Sequence, residues 1–283
     1  GQLPLTYFRT IISLIENPSL IHRERRIREL VEKTGSNVRA NEIIQEDVLL
    51  TCEDILSKSK TGIGAYTESK GFQFVREAVA EFINKRDGTK LERGIPSTPE
   101  NIFLTNGASQ AVKFIIDILI SEKNAGIMIP IPQYPLYSAE ITKAGGTQIN
   151  YYLNEEDGWS FNREGLEKAY SKAIKDGIKP KAIVVINPGN PTGAILTEAC
   201  MLETAAFAKD HNLVIIADEV YQENVYNGKF TSFAKIIGSD PITLCSIHSI
   251  SKGFIGECGH RGGYLEVRNP PQIKGTNLDL VDI

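Results

Sequence analysis

The chain has 283 residues, 41% of them hydrophobic and 23% charged, with a formal net charge of -4. That is an ordinary globular composition, long enough for one large domain or two small ones. No basic stripe suggests a nucleic-acid partner, and no apolar run reaches the roughly 18 residues that a membrane span needs.

Residues 21–34, "IHRERRIRELVEKT", are amphipathic, with Ile21, Ile27, Leu30 and Val31 on one side and Gly35 as the stop. A second helix is expected from about Asn41 to Lys58, where Ile44, Val48, Cys52, Ile55 and Leu56 keep helical spacing. A glycine-broken loop, "KTGIGAYTESKG", leads to a third, in which Phe72, Val75, Val79, Phe82 and Ile83 share a face. From residue 101 the pattern changes. "NIFLT", "GIMIPI", "QINYYL", "KAIVVI", "LVIIA", "TLCSIHS" and "GGYLEV" are short apolar runs that read as buried strands. Helical stretches at 109–121, 163–176 and 197–210 separate several of them, the last with Thr197 as its N-cap. Such alternation predicts an α/β fold: a mainly parallel seven-stranded sheet with helices on both faces. The four cysteines, Cys52, Cys200, Cys245 and Cys258, have neither C-x-x-C spacing nor histidines placed for zinc. Free thiols in a reducing compartment are expected, with Cys245 and Cys258 as buried structural thiols.

In open α/β sheets ligands bind outside the carboxyl ends of the strands. Five strand ends here carry unusual chemistry: "NGAS", "PQYPLY", "NPGNPTG", "DEVY" and "ISKGFIGECGHRGG". Each has an ordinary explanation as well. "NGAS" opens a helix whose free N–H groups and Ser109 hydroxyl could hold an anion, and a plain N-cap fits equally. "NPGNPTG" is built of turn formers and lacks the G-K-[ST] ending of a phosphate loop. Asp218 or Glu219, if buried, needs a cation or proton donor as partner, unless it caps a helix. Tyr134 could stack on a planar ring or cover the core. Arg261, among glycines, could grip a phosphate or carboxylate in a forked pair, or form a structural ion pair. Lys252 alone reads as a solvated charge. Together the five ends suit a planar, anionic, carbonyl-bearing ligand bound by a Schiff-base lysine, the arrangement of a pyridoxal phosphate (PLP) site.

"PIPQYPLYSA", "NPGNPTG", "DEVYQENVY" and "SKGFIGECGHRGGY" resemble the segments of fold-type I PLP-dependent aminotransferases, the alanine aminotransferases above all. The resemblance runs from "GQLPLTYFR" to "GGYLEV", nearly the whole chain. It implies that Lys252 holds PLP and moves the proton between the substrate α-carbon and the cofactor. Asp218 would keep the pyridine nitrogen protonated, and Asn190 and Tyr221 would hydrogen-bond the ring O3′. Tyr134 would stack on the ring, and Ala108, Ser109, Ser249 and Arg261 would cradle the phosphate. Tyr66 would reach the phosphate of a neighbouring subunit, which implies a homodimer with shared sites. The implied reaction converts L-alanine and 2-oxoglutarate to pyruvate and L-glutamate by a ping-pong route. Donors such as glutamate with glyoxylate, or aromatic amino acids, stay open, as does a non-catalytic dimer of the same fold. The address is cytoplasmic or the mitochondrial matrix.

On the same resemblance, residues 1–60 form a helical segment belonging to the small domain and dimer arm, and 61–283 a PLP-binding large domain. The arginine that clamps the substrate carboxylate lies in the family's C-terminal small domain, and this chain stops 22 residues after Arg261. With Gly1 at one end and "NLDLVDI" reading as an opening helix at the other, both ends are expected to lack material, and the chain alone is expected to be inactive.

Overall fold

The computed structural model describes residues 5–35, 44–59, 66–88, 95–253 and 256–271. The chain divides into two units, Gly1–Phe74 and Val75–Ile283.

Among the described residues the first unit holds three helices, α1 (Leu5–Glu16), α2 (Ser19–Thr34) and α3 (Glu46–Lys58). Ile11 and Leu14 of α1, Ile21 of α2 and Val48, Leu49 and Cys52 of α3 form its core. Gly35 closes α2, its N–H donating to the Val31 carbonyl. The third helix starts later than the sequence suggests: Gln45 is extended, and Glu46 and Asp47 supply the acidic first turn that favours a helix start. Residues 41–43, the expected beginning, lie outside the described residues. Helix α1 is not among the helices expected from the sequence, although Asn17-Pro18 marks its end.

Helix α4 (Gln73–Asp87) buries Arg76, Ala80, Ile83 and Asp87. The expected apolar face was different, and Phe82 on it is exposed. The reason is polar: Arg76 donates to the Pro99 carbonyl, and Arg86 pairs with Asp87 and bonds Gln222, so charged residues take the inner row.

Among the described residues seven strands follow: β1 (Ile102–Thr105), β2 (Ala125–Ile131), β3 (Thr147–Tyr152), β4 (Lys179–Ile186), β5 (Val214–Asp218), β6 (Leu244–Ser249) and β7 (Gly263–Arg268). They form one sheet in the order β1-β7-β6-β5-β4-β2-β3. Only β7 opposes the others, pairing antiparallel with β1 and β6. The sheet is therefore mixed but mainly parallel. Alternation along buried strands splits the core between two faces. Ile183 and Val185 of β4 pack with Met201, Phe207 and Phe233 from α8 (Glu198–Asp210) and α9 (Phe233–Ile237). Ala182, Val184 and Ile186 pack on the other side with Val112, Ile116, Tyr137 and Ile141 from α5 (Ala108–Leu119) and α6 (Leu136–Lys143). Helix α7 (Arg163–Lys175) adds Leu166 and Ala173 to the first face. Thr197 caps α8 as its spacing predicts, its hydroxyl accepting from the Cys200 N–H at 3.2 Å.

No described helix is long and apolar enough to cross a membrane. Among the described residues no histidine, cysteine and carboxylate cluster could hold a metal.

Candidate active site

Because β1, β2, β4, β5 and β6 run the same way, the segments that follow them emerge at one sheet edge. A cavity of about 230 Å³ opens there. Its lining includes Ala108, Ser109, Tyr134, Asn190, Asp218, Tyr221, Ser249, Lys252 and Arg261. Nine of the ten residues singled out from sequence therefore share one cavity. The tenth, Tyr66, belongs to the first unit and is fully exposed.

Each wall has a local cause. Gly107 ends the turn after β1 with φ 87°, a conformation costly for any residue with a side chain, and α5 starts at once. No side chain caps α5, so the plain N-cap reading of "NGAS" does not hold, and Ser109 sits inside the first turn. The Asn106 N–H is taken by Gln110 Oε1 at 2.6 Å. Arg261 lies against Gly107: a Cβ there would come within 2.6 Å of its Nη2. The guanidinium donates to the carbonyls of Asn106 (3.0 Å) and Cys258 (2.9 Å) and reaches Ser251 Oγ at 3.4 Å. Every one of these partners is neutral; among the described residues neither Arg261 nor Lys252 makes an ion pair within 4.0 Å, although the charge of Lys252 is felt by Asp218. The close pairing of β7 with β6 requires Gly263, where a Cβ would meet the His248 carbonyl oxygen at 2.6 Å. Ser249 is buried, its hydroxyl donating to the Gly262 carbonyl and accepting from the Ser251 N–H.

"NPGNPTG" forms a closed turn. The Gly189 N–H donates to the Ala194 carbonyl, and Asn187 Oδ1 accepts from the Leu196 N–H. Asn190 then faces the cavity, its Nδ2 donating to the Tyr221 hydroxyl at 3.4 Å. Lys252 Nζ lies 5.3 Å from the centroid of the Tyr221 ring, a cation–π distance. Gly253 is fixed by donating to Asn224 Oδ1. Tyr134 lines the cavity and is about half exposed.

Asp218 ends β5 almost wholly buried. Burial pushes its carboxyl up from the ordinary aspartate value; the Tyr137 hydroxyl, the Val220 N–H and the charge of Lys252 pull it back. The Tyr137 hydroxyl donates to Asp218 Oδ2 at 2.8 Å from a fully buried position on α6. Tyr137 was missed in the sequence. It lies in "PQYPLY", three residues beyond the tyrosine that was noticed, and α6 is too short for its apolar period to stand out. Glu219 is buried too, but serves a separate polar cluster: Oε1 accepts the Phe233 N–H at 2.7 Å, and Oε2 is 3.9 Å from Arg86.

All four thiols are free. Cys245 is buried as expected, whereas Cys258 is exposed and borders the cavity. Cys258 begins a single 3-10 turn on the loop that carries Arg261, and the arginine uses its carbonyl, not its sulfur.

A cavity with a lysine and an arginine that make no close ion pair, a buried aspartate with its own proton donor and a half-exposed tyrosine suits a planar anion with a protonated ring nitrogen. The comparisons agree. The chain is 45% identical to a probable mitochondrial alanine aminotransferase of Dictyostelium discoideum, over all of this chain and 51% of that protein. It is 40% identical to an inactive alanine aminotransferase of Saccharomyces cerevisiae, over 94% of this chain and 52% of that one. The fold matches the alanine aminotransferase from Pyrococcus furiosus with a TM-score of 0.64 and 25% identity, over 90% of this chain and 61% of that structure. The chain spans about half the length of the curated relatives it matches. A family model for aminotransferase class I and II matches residues 36–277, and the chain belongs to that family of PLP-dependent enzymes.

Proposed function

We propose that this chain carries the cofactor-binding part of an aminotransferase that converts L-alanine and 2-oxoglutarate to pyruvate and L-glutamate. The observation that carries the reading is the shared cavity of Lys252, Arg261 and the buried Asp218. PLP, when bound, supplies an aldehyde carbon that condenses with amines and a protonated pyridine ring that accepts the electron pair left by a departing α-proton. Lys252 Nζ is the amine for that carbon and the group that takes and returns the proton. Asp218 holds the proton on the ring nitrogen. Asn190 and Tyr221 would hydrogen-bond the ring oxygen, and Tyr134 would stack on the ring. The first-turn N–H groups of α5 at Ala108 and Ser109, the hydroxyls of Ser109 and Ser249, and Arg261 take the phosphate. Ser249 must turn its hydroxyl from Gly262 to do so.

The protein acts as a homodimer in which Tyr66 reaches the partner's phosphate, and it works in the cytoplasm or the mitochondrial matrix. The division of the chain at residue 60, with a large domain from 61 onward, belongs to the same reading. The name of the yeast relative gives a second reading some weight: a dimer that keeps the fold without turnover. The test is to load the full-length protein with PLP and follow its visible absorption and pyruvate release from L-alanine. Lys252→Ala abolishes both. A wild-type protein without a lysine-dependent band overturns the cofactor reading. A band without turnover on any amino donor favours the second reading, and turnover on glutamate with glyoxylate or on aromatic donors alone overturns the alanine assignment.

A further inference from the structure

Asp218 is held in a way that the cofactor reading does not require. The carboxylate sits at the end of a central strand with little access to water, where an uncompensated charge is costly. Its surroundings supply three compensations. From its own segment the Val220 N–H donates to Oδ1 at 3.3 Å. From the loop after β6, Lys252 contributes its charge. From α6, the fully buried Tyr137 hydroxyl donates to Oδ2 at 2.8 Å, the shortest of the hydrogen bonds the carboxylate receives. The direction of that bond is set by the protein: burial first, and the neighbouring carboxylate after it, push the Tyr137 phenol well above its ordinary value, so the phenol keeps its proton and donates. Tyr137 itself does not border the cavity. Its hydrogen bond to the site is the one to Asp218.

We propose that Tyr137 is a positioning residue whose phenol keeps Asp218 ionised and fixed in orientation before any ligand arrives. The carboxylate is then ready for a ring nitrogen that carries a proton. Lys252 cannot do this duty throughout a reaction, because its charge and position change when it bonds a ligand. Tyr137 stays put, locked between α6 and the sheet with Ile141, Ile129 and Val184 in the same core. The Tyr137–Asp218 part stands on the hydrogen bond alone; the ligand part rests on the PLP reading.

The experiment titrates Asp218 in the full chain without cofactor, using carbon-13-labelled aspartate and Asp218→Asn to assign the signal. Tyr137→Phe raises the Asp218 midpoint by about one pH unit or more, as loss of a hydrogen bond to the charged form should. It also weakens PLP binding by about tenfold, the equivalent of one unit. The control is Tyr151→Phe. Tyr151 is equally buried, and its hydroxyl donates to the Val184 carbonyl at 2.7 Å, so it measures the cost of losing a buried phenol elsewhere. It leaves the Asp218 midpoint where it was. An unchanged midpoint in Tyr137→Phe, or an equal shift in both variants, overturns the proposal. If Tyr137→Phe does not fold, fluorotyrosine incorporation asks the same question with the opposite sign: a more acidic phenol lowers the midpoint, and an unmoved midpoint overturns the proposal. A wild-type chain that binds no PLP sinks the cofactor reading, while the titration still decides Tyr137.

Discussion

Asp218 and Glu219 are neighbours in sequence with separate duties, and the second makes a stability argument of its own. Burial pushes the Glu219 carboxyl from 4.5 up to about 7, against the pull of Arg86 and the Phe233 N–H, with Asp87 and Glu266 pushing the same way as burial. Nearby, burial pushes His248 from 6.5 down to about 4, although its contact with the Glu219 carbonyl works the other way. The folded state thus binds the Glu219 proton more tightly than the unfolded chain does. That contribution is complete below pH 4.5 and is lost as pH rises through 7. His248 is the opposite: the fold prefers it neutral, so its contribution is complete above pH 6.5 and is lost as pH falls through 4. Between pH 4.5 and 6.5 the two slopes oppose each other. Glu219→Gln should therefore expose the histidine, with stability climbing as pH rises across that window by at most about 1.4 kcal/mol per unit. His248→Gln should expose the carboxylate, with stability falling over the same range. Urea midpoints at fixed ionic strength read both. If the Glu219→Gln and wild-type curves run parallel, the carboxyl does not titrate as its burial requires.

At the scale of elements, the end of the cavity proposed to take the phosphate depends on how closely β1, β7 and β6 approach. Gly263 has no room for a side chain: a Cβ would press on the His248 carbonyl at 2.6 Å and on Gly107 Cα at 3.0 Å. All of these are backbone atoms, so a whole strand must move, and Gly263→Ala should cost roughly 1–3 kcal/mol in denaturant unfolding. Gly107→Ala meets only the end of a flexible side chain, Arg261, but also carries φ 87°. It should cost about 1 kcal/mol of stability and weaken PLP binding by about tenfold or more, because the displaced guanidinium can no longer meet the phosphate. Gly107→Ala binding PLP as wild type does would show that Arg261 is not held by that approach. The strands are legible in sequence because buried parallel strands are continuous apolar runs, and the start of α8 because Thr197 is a capping residue. Helices α6 and α9 are not. Each is short, and α6 buries only Tyr137 and Ile141, one helical repeat, which no periodicity can separate from chance. The inner face of α4 departs from the apolar period because Arg76 is buried against the Pro99 carbonyl, and Asp87 against the adjacent Arg86, which in turn bonds the distant Gln222.

At the scale of the whole molecule, the site was legible because the fold does something simple with five separate motifs. Strands of common direction bring their ends to one edge, so a list of strand ends is already a list of neighbours. What the list cannot assign is a role played from behind the cavity, as by Tyr137, which stands within "PQYPLY", or a role played from another subunit. Tyr66 is of the second kind in the proposed dimer, and its full exposure leaves its ring free to meet a partner. A hybrid dimer tests this without any structure of the assembly. One chain carries Lys252→Ala and the other Tyr66→Phe, with different tags so that the mixed dimer can be purified. Only the Tyr66→Phe chain can bond PLP through lysine. In a symmetric dimer that shares its sites, the tyrosine completing that site comes from the Lys252→Ala chain and is native. The hybrid should then bind PLP at its one lysine-bearing site with wild-type affinity, while the Tyr66→Phe homodimer binds more weakly at both. If Tyr66 served the site of its own chain, the hybrid would show the weakened affinity of the Tyr66→Phe homodimer. If it served neither, all three proteins would bind alike. The affinity of a single lysine-dependent absorption band separates the three arrangements.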